Sequence, residues 1–228
     1  MRLLILFFSL ICLNAFSQEV TPERLKEIKT SAEQGIAYAQ WQLGYFYEYG
    51  IGVSINQAEA VKWYRKSAEQ GNAGAQINLG RCYEVGIGVP IDEVEAVNWY
   101  RKSANQGFGP AQCTLGYCYE IGMGLVKKDL VEAVKWYRKS AEQGNAYAQF
   151  YLGFCYFNGA GVLKDEVEAT TWYRKSAQQG NAEAQCALGY CYDVGKGAIK
   201  DQVQAYAYYN LAGITNEIAQ KTVASSKR

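Results

Sequence analysis

The chain has no histidine, only 3 prolines among its 228 residues, and no excess of either charge. Without histidine it cannot carry a Ser-His-Asp or Cys-His nucleophile pair, a zinc site built on two histidines, or an imidazole proton shuttle. Lys and Arg number 23 against 22 Asp and Glu, a formal net charge of +1. Such a balance does not favour binding to nucleic acid or to an anionic membrane. These absences remove a required part from most familiar enzyme classes.

Long apolar runs are missing beyond the first residues. Residues 3–13 form an apolar run that is too short to span a bilayer, and Ala15-Phe16-Ser17 follows it. This order is typical of a secretory signal peptide. We therefore predict a signal peptide over residues 1–17, cleavage before Gln18, and a periplasmic or secreted mature protein without a membrane span. A lipoprotein anchored at Cys12 is the alternative, although a bulky isoleucine precedes this cysteine.

What the chain does contain is an internal repeat that covers nearly all of the predicted mature protein. The dipeptide Ala-Gln occurs in register at spacings of 36, 36, 37 and 36 residues. Self-similarity of this period is typical of solenoids, in which each repeat packs on its neighbours. The one extra residue falls within residues 125–129, where we predict a loop. The copies are Ala39-Gln40, Ala75-Gln76, Ala111-Gln112, Ala148-Gln149 and Ala184-Gln185.

Each repeat is predicted to contain two helices, and the first carries a Leu-Gly pair followed by Tyr. Leu and Tyr lie four positions apart and therefore share one helix face. A glycine inside a helix costs about 1 kcal/mol relative to alanine, so its recurrence predicts the close approach of another helix. The sets are Leu43/Gly44/Tyr47, Leu79/Gly80/Tyr83, Leu115/Gly116/Tyr119, Leu152/Gly153/Tyr156 and Leu188/Gly189/Tyr192.

A Gly-x-Gly sequence follows each first helix. Glycine suits the left-handed cap and turn at a helix end, so we interpret these sequences as helix stops. A phosphate-binding loop is the alternative, but it requires a preceding strand, which the pattern does not predict. The sequences are Gly50-Ile51-Gly52, Gly86-Ile87-Gly88, Gly122-Met123-Gly124, Gly159-Ala160-Gly161 and Gly195-Lys196-Gly197.

The second helix of each repeat is predicted to begin with a capping box. An Asn or Asp is followed three residues later by Glu or Gln, and the two side chains can satisfy the first backbone N–H groups of the helix. We therefore interpret these acidic residues as caps rather than as catalytic groups. The pairs are Asn56/Glu59, Asp92/Glu95, Asp129/Glu132, Asp165/Glu168 and Asp201/Gln204.

Aromatic and then basic pairs continue the second helix. The Trp-Tyr pairs, which lie between alanines, are predicted to be core: Trp63-Tyr64, Trp99-Tyr100, Trp136-Tyr137 and Trp172-Tyr173. The basic pairs are Arg65-Lys66, Arg101-Lys102, Arg138-Lys139 and Arg174-Lys175. We expect these cations to be solvated, to complement the helix dipole and to pair with the Glu59-type acids. An anion-binding stripe is the alternative.

The repeat unit strongly resembles the Sel1-like repeat. It reads Ala-x-Ala-Gln-x-x-Leu-Gly-x-x-Tyr-x-x-Gly-x-Gly-Val and then Asp-x-x-Glu-Ala-x-x-Trp-Tyr-Arg-Lys-Ser-Ala-Glu-Gln-Gly, over about residues 20–213. The resemblance implies an all-α right-handed superhelix, a solenoid similar to tetratricopeptide arrays. It also implies a function, because Sel1-like proteins serve as adaptors and scaffolds for other proteins. We expect a capping helix over residues 18–36, five repeats over residues 37–214, and a C-terminal tail or short helix over residues 215–228.

In such an array the first helices line the concave side, and the positions two and five residues after the leucine turn toward it. We name these the +2 and +5 positions. An aromatic row beside an acidic row indicates a contact site, with packing of the tyrosines on neighbouring repeats as the alternative. The +2 residues are Tyr45, Arg81, Tyr117, Phe154 and Tyr190. The +5 residues are Glu48, Glu84, Glu120, Phe157 and Asp193.

Six cysteines remain after the predicted signal peptide. An even number in an exported chain indicates disulfides. Cys82 and Cys113 are as far apart in sequence as Cys155 and Cys186, so each pair is a candidate bridge between neighbouring first helices. The two positions are offset by about 7.5 Å along the helix axis, which strains the span of a disulfide. Small buried thiols are therefore the alternative.

The expected function is that of a non-catalytic adaptor, monomeric and without cofactor or metal, that binds a protein or peptide in its concave groove. The resemblance also supplies an alternative, because cysteine-rich exported Sel1-like proteins have been linked to β-lactam binding or hydrolysis. That chemistry needs a serine with a lysine three residues later. The repeated serines have glutamine there instead: Ser31, Ser67, Ser103, Ser140 and Ser176.

Overall fold

The computed structural model describes residues 20–225, with side chains up to residue 214. This part of the chain folds into eleven helices and contains no strand. The helices are α1 (Pro22–Glu33), α2 (Ala37–Tyr49), α3 (Gln57–Glu69), α4 (Ala73–Val85), α5 (Glu93–Asn105), α6 (Gly109–Ile121), α7 (Leu130–Glu142), α8 (Ala146–Asn158), α9 (Glu166–Gln178), α10 (Ala182–Val194) and α11 (Gln202–Ser225). The predicted all-α fold of repeated helix pairs is confirmed.

The chain divides into two compact units. Unit 1 extends to Asp92 and holds α1–α4, whereas unit 2 begins at Glu93 and holds α5–α11. Within each unit, every helix packs on the next one along the chain. The helix pairs therefore stack in sequence order, as nearest-neighbour repeats do.

The Leu-Gly-Tyr pattern places the first helix against the second helix of the same repeat. Leu43 is 2% exposed. Gly44, which follows it, faces the ring of Tyr64, the tyrosine of the Trp-Tyr pair in the second helix. A Cβ atom on Gly44 would lie 2.6 Å from Cδ1 of Tyr64, closer than any side chain tolerates. Tyr64 itself is completely buried. The close approach that the repeated glycine predicts is confirmed, because the tyrosine ring fills the space of the missing side chain.

The Gly-x-Gly sequences end the first helices as predicted. Gly195 caps α10 in the left-handed conformation, with φ 76°, and its N–H donates to the carbonyl of Cys191. Gly197 also has positive φ, 67°, and a Cβ atom there would lie 1.8 Å from the carbonyl oxygen of Glu166 at the start of α9. These glycines are needed for the turn and for close packing on a neighbouring helix. The phosphate-loop alternative has no support here.

Four of the five predicted capping boxes form their first half. The side chain of Asn56 accepts the N–H of Glu59 at 3.1 Å, and those of Asp129, Asp165 and Asp201 accept in the same way. The N–H of Asn56, however, donates to the carbonyl of Tyr47 at 2.8 Å. Glu59 instead binds Lys62, one turn along the same helix, with Nζ and Oε1 2.6 Å apart. The second bond of the box, from the Asn56 N–H to the Glu59 side chain, is absent because this N–H already donates to a carbonyl of the preceding helix.

Repeated glutamines and serines tie successive helices together. Gln40 donates from Nε2 to the carbonyl of Ala32 at 3.1 Å and accepts from Nε2 of Gln70 at 2.7 Å. Ser67 donates to the carbonyl of Ala37 at 2.6 Å. The bond to a carbonyl recurs at Gln76, Gln112, Gln149 and Gln185, the bond from a second glutamine recurs at Gln112 and Gln149, and the serine bond recurs at Ser140 and Ser176. The Ala-Gln and Ser-Ala-Glu-Gln-Gly sequences are therefore structural.

The described region has a helix close to its start and ends in a helix. At the start, Thr21 accepts the N–H of Arg24 with Pro22 in the first turn of α1, as a capping helix should. At the other end, α11 is 24 residues long and runs without interruption to Ser225. Residues 215–225 therefore continue the last helix of the repeats and do not form a separate short helix. The predicted signal peptide lies outside the described residues. Among the described helices, none is long and apolar enough to cross a membrane.

Candidate binding surface

The +2 and +5 positions differ in exposure between the two units. In unit 1, Tyr45 is 2% and Glu48 9% exposed, and the ring of Tyr45 lies 4.5 Å from that of Tyr49. In unit 2, the rings of Phe154 and Tyr190 are 44% and 42% exposed. The remaining candidates are half-buried: Arg81, Glu84, Tyr117, Glu120, Phe157 and Asp193. Tyr45 and Glu48 therefore contribute to packing in unit 1, and the exposed aromatic residues among the +2 and +5 positions lie in unit 2.

Unit 1 buries an ion pair between the +5 residue of one repeat and the +2 residue of the next. Glu48 binds the guanidinium of Arg81, and the two side chains are only 6% and 13% exposed. The hydroxyl of Tyr64 donates to the second carboxylate oxygen of Glu48 at 2.8 Å. Burial alone would lower the pKa of Arg81, but the Glu48 charge outweighs it and the pKa is raised. The charged pair is thus satisfied entirely within the unit.

Unit 2 contains Glu120, whose carboxylate has the same +5 position as Glu48 but lies beside aromatic rings. The hydroxyl of Tyr137 donates to Glu120 with 2.5 Å between the oxygens, as Tyr64 does to Glu48. Burial and then the Glu120 charge raise the pKa of Tyr137, so this phenol stays protonated. Its ring stacks on that of Tyr151 with centroids 5.1 Å apart. Glu120 therefore has an ordered hydrogen-bond partner in the aromatic interior of the unit.

An aromatic cluster extends from this point along α8 and α10. We define it as Phe150, Phe154, Phe157, Tyr173 and Tyr190. The ring centroids of Phe150 lie 6.5 Å from Phe154 and 5.9 Å from Tyr173, and those of Phe157 lie 6.4 Å from Tyr173 and 6.1 Å from Tyr190. Tyr173 is buried and anchors the other rings, so the cluster is rigid at its base and open at Phe154 and Tyr190.

Phe150 lies outside the predicted +2 and +5 rows. The signal for it is its spacing, because Phe150, Phe154 and Phe157 lie at i, i+4 and i+7 and therefore share one face of α8. Lys196 was likewise treated as a turn residue, yet its Nζ lies 5.7 Å from the centroid of the Phe157 ring. Phe150 is thus a member of the aromatic cluster, and Lys196 lies beside it.

The basic pairs do not form the predicted pairs with the Glu59-type acids. Lys66 lies over the ring of Trp63, with Nζ 4.2 Å from the centroid, and the other lysines of these pairs lie over their own tryptophans at 3.8 to 4.2 Å. Arg65 donates to the hydroxyl of Tyr83 at 2.5 Å, and Arg138 and Arg174 make the equivalent bond. This corrects the expectation, because the arginine partners lie on the following helix rather than on their own.

The cysteines form no disulfide in the described part of the chain, so the expected Cys82–Cys113 and Cys155–Cys186 bridges are not present. Cys155 is 5% exposed and packs in a hydrophobic core, whereas Cys186 lies on the exposed surface. Burial raises the pKa of Cys82, Cys113 and Cys155 to about 12. The buried thiols therefore behave as small core side chains, which was the alternative interpretation.

The described residues offer no group of three His, Cys, Asp or Glu side chains that could hold a metal ion. A shallow pocket in unit 2 lies beside the loop that carries the extra repeat residue, with Arg101, Tyr119, Lys127 and Asp129 among its lining residues. It holds both charge signs and no arrangement of nucleophile and base. Neither feature offers a catalytic or metal site, and the aromatic cluster is a group of apolar side chains of the kind that marks contact sites.

Comparisons with known proteins agree with this architecture. A solved protective antigen of uropathogenic Escherichia coli, described as displaying an SLR fold, is 39% identical, with a TM-score of 0.79 over 86% of this chain and 42% of that one. The chain thus spans less than half of that protein. A Sel1 repeat protein from Oxalobacter formigenes is 37% identical, with a TM-score of 0.78 over 90% and 84% of the two chains. No curated protein matches the chain.

A family model settles the assignment of the repeats. The model described as the Sel1 repeat matches five consecutive segments, residues 37–72, 73–108, 109–145, 146–181 and 182–213. These segments begin at the first residues of α2, α4, α6, α8 and α10. The first four each hold a complete helix pair, and the fifth holds α10 and the first half of α11. The chain belongs to the Sel1 repeat family.

Proposed function

We propose that the chain is a non-catalytic adaptor that binds a protein or peptide through the first-helix surface of unit 2, the side that the Sel1 resemblance makes concave. The observation that carries this proposal is the aromatic cluster, in which Phe154 and Tyr190 expose 44% and 42% of their surface. Family membership supports it, since Sel1 repeat proteins typically act in protein interactions.

The cluster has the physical properties of a contact site. Aromatic rings supply large apolar area at a low cost in conformational entropy, and such residues dominate the binding energy of interfaces. The rings of Phe150 and Phe157 contact the buried Tyr173, so a partner would meet a preorganised surface. Preorganisation favours affinity because less side-chain freedom is lost on binding.

The absence of catalysis is proposed on separate grounds. Three of the repeated serines are completely buried and donate to backbone carbonyls of a neighbouring helix at 2.6 Å, so their hydroxyls are engaged away from solvent. Those serines are Ser67, Ser140 and Ser176. Buried cysteines with raised pKa are poor nucleophiles, because the thiolate is the reactive form. No feature of the described residues favours the β-lactam alternative.

Site-specific photo-crosslinking in the protein's own compartment tests the adaptor function. A photoreactive phenylalanine analogue at Phe154 should give a discrete crosslinked product with one polypeptide partner. The same analogue at Tyr206, which is 69% exposed on α11 and outside the cluster, is the matched control. Crosslinking at both positions to the same extent, or at neither, would count against the cluster as the binding site.

We also propose that the protein is exported and acts in the periplasm or outside the cell. The support is the sequence of residues 1–17, in which an apolar run precedes Ala15-Phe16-Ser17. Mass spectrometry of the protein from its native cells should find a mature N-terminus at Gln18. An uncleaved N-terminus would contradict the signal peptide, and a lipid-modified Cys12 would identify the lipoprotein alternative.

A further inference from the structure

The +5 residue of one repeat meets the +2 residue of the next repeat. In unit 1 this position holds the Glu48–Arg81 ion pair. In unit 2 it holds Phe157 and Tyr190, whose rings meet edge to face with centroids 6.1 Å apart. The same pair of positions therefore accommodates either an ion pair or two aromatic rings. We call it the inter-repeat pair.

Glu120 and Phe154 occupy the +5 and +2 positions of neighbouring repeats, so by register they make an inter-repeat pair of mixed character. Glu120 accepts from Tyr137 as Glu48 accepts from Tyr64. Cys155 directly follows Phe154, just as Cys82 follows Arg81, and burial followed by the charge of the respective glutamate raises the pKa of both thiols to about 12. The carboxylate thus keeps its register, while the +2 position of the next repeat carries phenylalanine instead of arginine.

No Lys or Arg of the described region forms an ion pair with Glu120. Tyr137 donates a hydrogen bond to it, and two further groups that its charge affects, Tyr151 and Cys155, supply no positive charge. Burial and then nearby charges, Glu120 among them, raise the pKa values of Tyr151 and Cys155, so both side chains are neutral at pH 7. A half-buried carboxylate without a cation is electrostatically unfavourable, and a cation supplied by a ligand would relieve it.

We propose that Glu120 and Phe154 bind an arginine side chain of the partner, in the place that Arg81 occupies in unit 1. This inference rests on the proposed adaptor function and names the chemistry of its partner. A guanidinium can donate two hydrogen bonds to a carboxylate while it stacks on an aromatic face, which suits Arg better than Lys. Lys196 over Phe157 shows that the neighbouring ring of this surface already holds a cation.

An NMR titration tests the site without knowledge of the partner. The protein is labelled on phenylalanine rings and titrated with N-acetyl-arginine amide or with N-acetyl-citrulline amide, which has nearly the same shape and no charge. We expect the Phe154 resonances to shift with the arginine compound and not with the citrulline compound. Equal shifts with both compounds, or no shift with either, would overturn the proposal.

Three single variants and one double variant make the result specific. Glu120→Gln removes the charge but keeps an oxygen that accepts from Tyr137, and it should abolish the shift. Glu142→Gln, on the exposed side of α7, removes one charge elsewhere and should leave the shift intact. Phe154→Arg should fill the site from within, raise the melting temperature, and lose this gain when it is combined with Glu120→Gln. No gain in stability from Phe154→Arg would count against the geometry.

The failure of this inference can be distinguished from the failure of the adaptor function. A partner whose binding depends on Phe154 and Tyr190 but is unchanged in Glu120→Gln would overturn the arginine site and leave the adaptor function standing. A partner that depends on all three residues, and loses affinity when one of its arginines is replaced by citrulline, would support both.

Discussion

The ring of Tyr137 lies where a side chain on Gly116 would extend. A Cβ atom on Gly116 would be 2.7 Å from Cδ1 of this ring, and Tyr137 is completely buried. A buried ring cannot move aside at low cost, because protein interiors are close-packed. The contact fixes the distance between α6 and α7, and the equivalent contacts at Gly44, Gly153 and Gly189 do the same in their repeats.

We predict that Gly116→Ala destabilises the protein by about 1–3 kcal/mol, the usual cost of overpacking. Gly213→Ala is the matched control, because Gly213 also lies in a helix but has no atom within 4 Å of its added Cβ. There the better helix propensity of alanine should be neutral or stabilise by up to about 1 kcal/mol. Chemical denaturation of both variants checks this. Equal changes in the free energy of unfolding at the two sites would show that contact with the Tyr137 ring does not determine the cost of Gly116→Ala.

The Glu48–Arg81 pair should be costly to break from one side. Arg81→Met leaves the buried Glu48 carboxylate without its cation, and we expect a loss of about 3–5 kcal/mol at pH 7. In the double variant with Glu48→Gln no buried charge remains unpaired, and the amide oxygen can still accept from Tyr64. The double variant should therefore be more stable than Arg81→Met alone. A double variant less stable than Arg81→Met would contradict this account of the pair.

Thiol reactivity should separate the exposed cysteine from the buried ones. In a protein that begins at Gln18, Cys186 should react first with a disulfide reagent at pH 8, and the reaction should be lost in Cys186→Ser. Cys82, Cys113 and Cys155, with a pKa of about 12, have only about one part in ten thousand as thiolate at that pH. They should react only after unfolding. Fewer than six thiols in denaturant without reductant would show that a disulfide forms.

The fold could be predicted from sequence because its determinants are local and repeated. The glycine at each first-helix position, the cap at each second helix and the Trp-Tyr pair all act within one repeat, so their spacing specifies their role. Gly44 and Tyr64 illustrate this, since the repeat pattern predicts close approach of a helix at the first and a core position for the second, and the two residues meet in the structure.

The site could be predicted only in part because its details arise between repeats. The +2 and +5 rows were identified, yet spacing within one helix does not reveal that Glu48 meets Arg81 of the next repeat. Likewise Arg65 was assigned an acidic partner on its own helix, whereas Tyr83 on the following helix accepts its hydrogen bond. Such contacts depend on the distance between stacked helices, which the pattern of residue types does not encode.

The affinity of the crosslinked partner for variants of the aromatic cluster tests the central claim most directly. Phe154→Ala combined with Tyr190→Ala should weaken binding at least about 30-fold, because truncation of one aromatic anchor often costs about 2 kcal/mol. Tyr206→Ala, which removes an exposed ring outside the cluster, should leave the dissociation constant unchanged. An unchanged dissociation constant in the double variant, with its helix content intact by circular dichroism, would contradict binding at this surface.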